Sequence, residues 1–216
     1  QLGEPSQLFP VLWGLQQLCV SRPDYVRARE YGEQMLSLAQ RLQDPSLLLR
    51  AYRALQEVSF CLGEYLAAKT YGENGVALYD PHQRRAQTFI YGEDPAMATL
   101  PFYGLSLFLL GYPYRGLQKV REALILAREQ AHANSMAFAS GLTAYIHCLR
   151  REHEEAREHA EAVIALTTEQ GLPFWLAFGT MARGWALVGQ GEGEAGVAQI
   201  HQGLAANRGD GERRIF

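Results

Sequence analysis

Five stretches decide how this chain is read: EQMLSLAQ from Glu33, ENGVALYD from Glu73, REALILAR from Arg121, EAVIALTT from Glu161 and HQGLAANR from His201. Their starts lie 40, 48, 40 and 40 residues apart. In the same register a small residue stands five positions ahead of each start, at Ala28, Ala68, Gly116, Ala156 and Gly196. Small side chains there let two helices approach closely, as a tight helical hairpin requires. An aliphatic residue recurs at Leu36, Val76, Leu124, Ile164 and Leu204. Repetition at a period near 40 marks a stacked-repeat architecture.

Each unit reads as helix, turn, helix. First helices are expected at about 6–20, 46–62, 95–110, 134–150 and 174–188, opening beside Pro5-Ser6, Pro45-Ser46, Asp94-Pro95, Asn134 and Pro173. Turns follow at Pro23, Gly63, Gly111, Arg151 and Gly191. Second helices are expected at about 24–42, 64–79, 113–130, 152–170 and 192–207, with acids at Asp24, Glu64, Glu152 and Glu192 complementing the helix dipole. The extra eight residues of the third interval fall in PHQRRAQTFIY (81–91), a lengthened loop with room for a turn of its own. No strand is expected.

A single hairpin cannot cover its own apolar face, so neighbours must stack. The expectation is an all-α fold, an α-solenoid of five helix-turn-helix repeats forming one domain over 1–216. Its units span about 5–43, 44–81, 93–131, 133–171 and 173–208, with a long loop at 81–93 and an irregular tail from 208. Ala96–Tyr112 carries no charge for 17 residues, short of a membrane span. In this scheme it is the buried first helix of the central unit.

With 48% hydrophobic residues the chain can bury a sizeable core. Twenty Lys plus Arg against 23 Asp plus Glu leave a net charge of −3, which argues against gathering nucleic acid or an anionic membrane. Lys69 and Lys119 are the only lysines, read as a GC-rich, bacterial coding bias. Cys19, Cys61 and Cys148 make neither a disulfide framework nor a zinc spacing, consistent with small buried hydrophobes in a reducing, cytoplasmic setting. No G-x-x-x-x-G-K-[ST] phosphate loop exists, and GQGEG (189–193) sits in an inter-helix turn without a preceding strand. His153 and His159 in HEEAREH are six apart, whereas zinc-binding histidines on one helix need four; they read as part of a solvated charged face. His147 and Cys148 are adjacent and diverge on a helix, so they do not read as a nucleophile pair. Arg84 and Arg85 lie in the long loop, available to an anion or partner. No catalytic residue, metal or cofactor is expected.

One stripe of the first helices varies sharply between units: Pro10, Trp13, Gln17; Arg50, Arg53, Glu57; Ala98, Pro101, Leu105; Phe138, Gly141, Tyr145; Phe178, Met181, Trp185. As an inner wall it would take a peptide, an acidic group toward Arg50 and Arg53 and an apolar side chain toward Phe178 and Trp185. Trp13, Arg50, Arg53, Glu57, Phe138, Tyr145, Phe178 and Trp185 are the candidate binding residues. The competing reading has most of them packing between units.

The small-residue column and the fragment CLGEY (61–65) resemble tetratricopeptide (TPR) repeats, although the period exceeds 34 and little of the Trp-Leu-Gly-Tyr pattern survives. LSLAQRLQDPSLLLRAYRAL (36–55), LGEYLAAKTYGENGVALYDP (62–81), YGEDPAMATL (91–100), LLGYPYRGLQKVREALILARE (109–129) and TEQGLPFWLAFGTMARGWAL (168–187) are similar to one bacterial group. That group is the helical-repeat region of large predicted ATPases, often carrying an adenylate/guanylate cyclase domain. The resemblance covers about 2–207 and implies a right-handed superhelix. It also implies a non-catalytic interaction or sensor scaffold, a protein or peptide partner or an attached ATPase or cyclase module, with chemistry residing in other domains. A small-molecule pocket within the superhelix is the alternative. The final GDGERRIF departs from the group's pattern.

Overall fold

The computed structural model describes residues 5–130 and 132–209, and the tail expected from 208 falls almost wholly outside them. The described residues form eleven α-helices: α1 Pro5–Ser21, α2 Tyr25–Leu42, α3 Pro45–Cys61, α4 Tyr65–Ala77, α5 Arg84–Tyr91, α6 Pro95–Leu109, α7 Pro113–Gln130, α8 Ala133–Arg150, α9 His153–Gln170, α10 Pro173–Gly189 and α11 Gly193–Gly209. No strand occurs among them.

The period has a backbone origin. At the turn inside each hairpin the amide five residues on closes back to a carbonyl: Asp24 N to Cys19 O, Glu64 to Ser59, Tyr112 to Leu107, Glu152 to His147 and Glu192 to Leu187, all between 2.8 and 3.0 Å. This helix-terminating bond needs one residue of left-handed backbone before it. Gly63, Gly111 and Gly191 supply it at φ 77°, 91° and 93°, while Arg151 adopts φ 58° at the cost of its β-carbon. Asp44 and Asp94 cap α3 and α6 through the amides two and three residues on, each followed by a proline at the first helical position.

Two local expectations change. His132, not Asn134, occupies the cap of α8; Asn134 lies inside the helix and accepts the Trp175 indole N–H at 3.1 Å. The leading acids Asp24, Glu64 and Glu152 stand at the starts of α2, α4 and α9 as expected; Asp24 also caps with its side chain, whereas the Glu152 carboxylate is drawn off by Arg150 and His147. The lengthened loop folds into a 3-10 turn, Pro81–Gln83, and the helix α5.

The chain divides into two compact units between Gly116 and Leu117. In the first, α1 to α4 pack in sequence and α6 packs on both α3 and α4. Phe9, Leu12, Trp13, Met35, Leu38 and Ala51 form a core there, with Tyr91 laid against it. The uncharged α6 is buried from Pro95 to Leu107, in line with its reading as a central helix. No helix among the described residues is long and apolar enough to cross a membrane. In the second unit α8, α9 and α10 pack around Ala144, Ala156, Ala160, Ala182 and Ala186, and α11 packs on α10.

All five residues of the small column are buried. The aliphatic column is less so: Leu204 is exposed and Leu36, Val76 and Ile164 are half-buried. The fully covered position is one residue earlier, at Met35, Gly75, Ala123, Val163 and Gly203. The glycines there admit close neighbours, which a search for aliphatic residues passes over.

Candidate functional site

Arg50, Arg53 and Glu57 recur on α3 at steps of three and four, so they share one face. That face is enclosed: all three side chains are buried, and so is Trp13 of α1. The Arg50 guanidinium lies 4.8 Å from the Trp13 ring and 4.5 Å from the Tyr91 ring, a cation held between aromatic faces. It also donates to the Glu93 carboxylate at 3.1 Å and to the Glu93 carbonyl at 3.0 Å. Arg53 pairs with Glu57 at 3.1 Å and with Glu93 at 3.6 Å, over the ring of Phe102. Gln17 donates to Glu57 at 3.1 Å. The acid expected from a ligand is therefore already supplied by the chain, through Glu57 and Glu93.

Electrostatics follow from this enclosure. Burial pulls Arg50 down to about 10, with Glu93 opposing. Arg53 is held above its ordinary value because Glu57 and Glu93 outweigh its burial. Burial raises the Glu93 carboxyl against the pull of both arginines. Two cations and two carboxylates in one buried cluster remain stable only as a matched set.

Two buried glutamines complete this region. Gln16 donates to the Ala54 carbonyl at 3.3 Å, and Gln56, forty residues on, donates to the Thr99 carbonyl at 3.2 Å. Both tie one first helix to the backbone of the next. Sequence reasoning missed them, and missed Tyr91 and Glu93, although the parallel of QDP (43–45) with EDP (93–95) marks Glu93 as a repeat position.

In the second unit the candidate wall is aromatic. Phe138 meets Trp175 edge-on with centroids 5.5 Å apart, and Tyr145 meets Phe178 at 6.2 Å. Gly141 makes the seat, since a β-carbon there would lie 3.1 Å from the Trp175 ring. Phe138 and Phe178 are half-buried, and Tyr145 is 37% exposed. Trp185, also half-buried, stacks on His153 at 4.6 Å.

That stack corrects the solvated reading of HEEAREH. His153 and His159 are both half-buried, His159 stacking on His147 at 5.4 Å, while Glu154, Glu155 and Glu158 take the exposed side. Imidazole rings offer a flat apolar face, which explains why histidines face inward where glutamates cannot. His147 joins Glu152 at 2.7 Å, and Glu152 also accepts from Arg150 at 2.6 Å. Arg150 and then His147 hold the Glu152 carboxyl down at about 2 despite some desolvation. The neighbouring Cys148 is buried and its thiol is pushed up to about 12, far from a reactive thiolate. Cys61 is raised to about 12 as well, chiefly by burial. No cluster of three or more His, Cys, Asp and Glu residues fit for a metal occurs among the described residues. The side chains of Arg84 and Arg85 lie outside the described residues.

No protein-family model matches this chain, and no curated protein matches it in sequence. Solved structures do. The apo form of RapI superposes with a TM-score of 0.69 at 10% identity, over 94% of this chain and 71% of that one. The nearly identical TPR-like repeats of a kinesin light chain assigned in Podosopora anserina superpose with a TM-score of 0.63 at 15% identity, over 97% of this chain and 99% of that one. A variant of the same repeats gives 0.64 at 15%, over 98% and 99%. At such identities the likeness carries the fold alone: all-α, an α-solenoid of the TPR-like class.

Proposed function

We propose that this chain is a non-catalytic scaffold that binds a protein or peptide segment. The observation that carries the reading is the contrast between positions that repeat and positions that do not. The turn bonds and small-residue column recur in every hairpin, whereas the first-helix stripe changes from buried ion pairs to partly exposed aromatics. Phe138, Tyr145 and Phe178 form the contact surface, because aromatic side chains with one exposed edge give large contact area at low entropic cost. Arg50, Arg53 and Glu57, with Trp13 beneath them, organise the first unit and reach a ligand only if Glu93 gives way. The resemblance to repeat regions of bacterial ATPases and nucleotide cyclases supports a place in a larger cytoplasmic signalling protein, with the five hairpins acting as one domain.

Screening a random peptide display library against the full chain tests this. Selected peptides should be rich in apolar and aromatic residues, and Tyr145→Ala should weaken their binding at least tenfold with little change in melting temperature. Peptides that bind wild type and Tyr145→Ala equally, or none at all, would defeat the reading. A metabolite that raises the melting temperature in a thermal-shift screen would favour the sensor alternative instead.

A further inference from the structure

Residues 80–93 hold the eight positions by which one interval of the repeat exceeds 40, and the helix they form, α5, has no counterpart between the other hairpins described. The ends of this segment are tied together: the Tyr79 hydroxyl donates to Asp94 Oδ2 at 3.1 Å, while Oδ1 of the same carboxylate caps α6. Such a closed loop can lift without unseating α4 or α6. Its outer face is poorly covered, Phe89 being 92% exposed and Ile90 55%. Its inward grip is concentrated at Tyr91 and Glu93. The Tyr91 ring meets Phe9 and Trp13 edge-on at 6.2 and 6.1 Å and lies against the Arg50 guanidinium. Gly92, at φ 78°, bends the backbone so that the ring before it and the carboxylate after it close on one guanidinium.

The segment is an imperfect occupant of the place it fills. Glu93 reaches Arg50 at 3.1 Å but stands 3.6 Å from Arg53 Nε, and that buried nitrogen makes no hydrogen bond to any described residue. A buried donor left unsatisfied is a standing penalty that a better placed carboxylate removes. We infer that residues 80–93 are a strap lying in a peptide site of the first unit, and that a partner segment with an aromatic residue two positions before a carboxylate takes the place of Tyr91 and Glu93. A ring and a carboxylate replace a ring and a carboxylate, so the exchange is close to balanced, and the hydrogen bond gained by Arg53 favours the incoming segment. Being tethered, the strap competes at an effective concentration on the order of millimolar and hides the site from weak ligands. The inference shares with the proposed function only the premise that the chain binds peptides. Phe138, Tyr145 and Phe178 play no part in it, so either reading can fail alone.

The test uses the full chain and a fluorescent, end-capped peptide TFIYGE, residues 88–93. A chain carrying Tyr91→Ala and Glu93→Gln should bind it at least tenfold more tightly than wild type, because the tethered competitor is disabled. The same peptide with Glu93→Gln, or with Tyr91→Ala, should lose that gain. In wild type, millimolar peptide should speed hydrogen exchange at the amides of 84–91 while α3 stays protected. Tyr91→Ala alone, which keeps the ion pairs, repeats the comparison if the double variant fails to fold, with an expected gain of about threefold. Equal affinity for wild type and variant overturns the inference, and so does the absence of binding to either. Binding that ignores the peptide's carboxylate, or that leaves exchange in 84–91 unchanged, overturns it as well.

Discussion

Gly184 of α10 and Gly196 of α11 face each other so closely that a β-carbon on either would lie within 2.6 Å of the other's carbonyl oxygen. Gly116 meets the Gly104 carbonyl in the same way, 80 residues earlier. The small column is therefore a backbone-to-backbone contact where both partners are glycine. Gly196→Ala should lower stability by about 1–3 kcal/mol through overpacking. Gly14→Ala has open space for its β-carbon and should raise stability by about 0.5–1 kcal/mol through helix propensity. Chemical denaturation of the two variants checks the opposite signs.

Arg151 holds a left-handed backbone that glycine holds at the equivalent turns Gly63, Gly111 and Gly191. Arg151→Gly should stabilise the α8–α9 hairpin by up to about 1 kcal/mol, since the strain of the β-carbon exceeds the entropy that glycine adds to the unfolded chain. A rise in melting temperature is the expected readout.

Removing the Glu93 carboxylate takes an ion-pair partner from each of two buried guanidiniums and leaves Arg53 paired with Glu57. Glu93→Gln should cost about 3 kcal/mol, the lower end for breaking a buried pair, because Glu57 still serves Arg53. Arg50→Met, which removes a cation along with its partner's demand, should cost less in the background of Glu93→Gln than alone. A double-mutant cycle in urea measures that coupling.

The stacked histidines set a pH dependence. Burial, then His147, lowers the affinity of His159 for a proton; Glu158 opposes this, while Arg128 and Arg121 reinforce it. The unfolded chain thus takes up a proton more readily than the folded one, so stability falls as pH drops below about 6.5, until the folded imidazole is protonated as well. His159→Phe should flatten the stability profile between pH 7 and pH 5. Glu152 acts lower on the scale: its stabilising contribution, complete above about 4.5, is lost as pH falls to about 2.

A β-carbon on Gly189 would run into the His153 ring that stacks on Trp185. Gly189→Ala should shift the Trp185 environment, and His153→Ala in the same chain should relieve the strain. Tryptophan fluorescence in Trp13→Phe, Trp175→Phe background isolates the signal.

Helix positions were legible because each hairpin is punctuated locally, by Asp44-Pro45, Asp94-Pro95 and the turn glycines, and the boundaries read from them agree with the structure within about two residues. The candidate site was legible only as a stripe. That Arg50 lies between Trp13 and Tyr91 depends on residues 37 and 41 positions away, and on the inserted segment folding into α5. Periodicity reports which face a residue occupies; it carries no information on whether another part of the chain already fills the space in front of it. The inward histidines escaped for a related reason, since charge pattern assigns HEEAREH to water while ring stacking assigns part of it to the interior.

The five identical turn bonds bear on how the molecule reaches this state. Each closes a loop of only a few residues and so forms early and cheaply in entropy, before any long-range contact exists. Hairpins can then nucleate independently along the chain, as in other repeat arrays. The clasp of Arg50 by Tyr91 and Glu93 is the exception: it joins residues about 40 positions apart, so it can form only after α3 and the insert have both been synthesised.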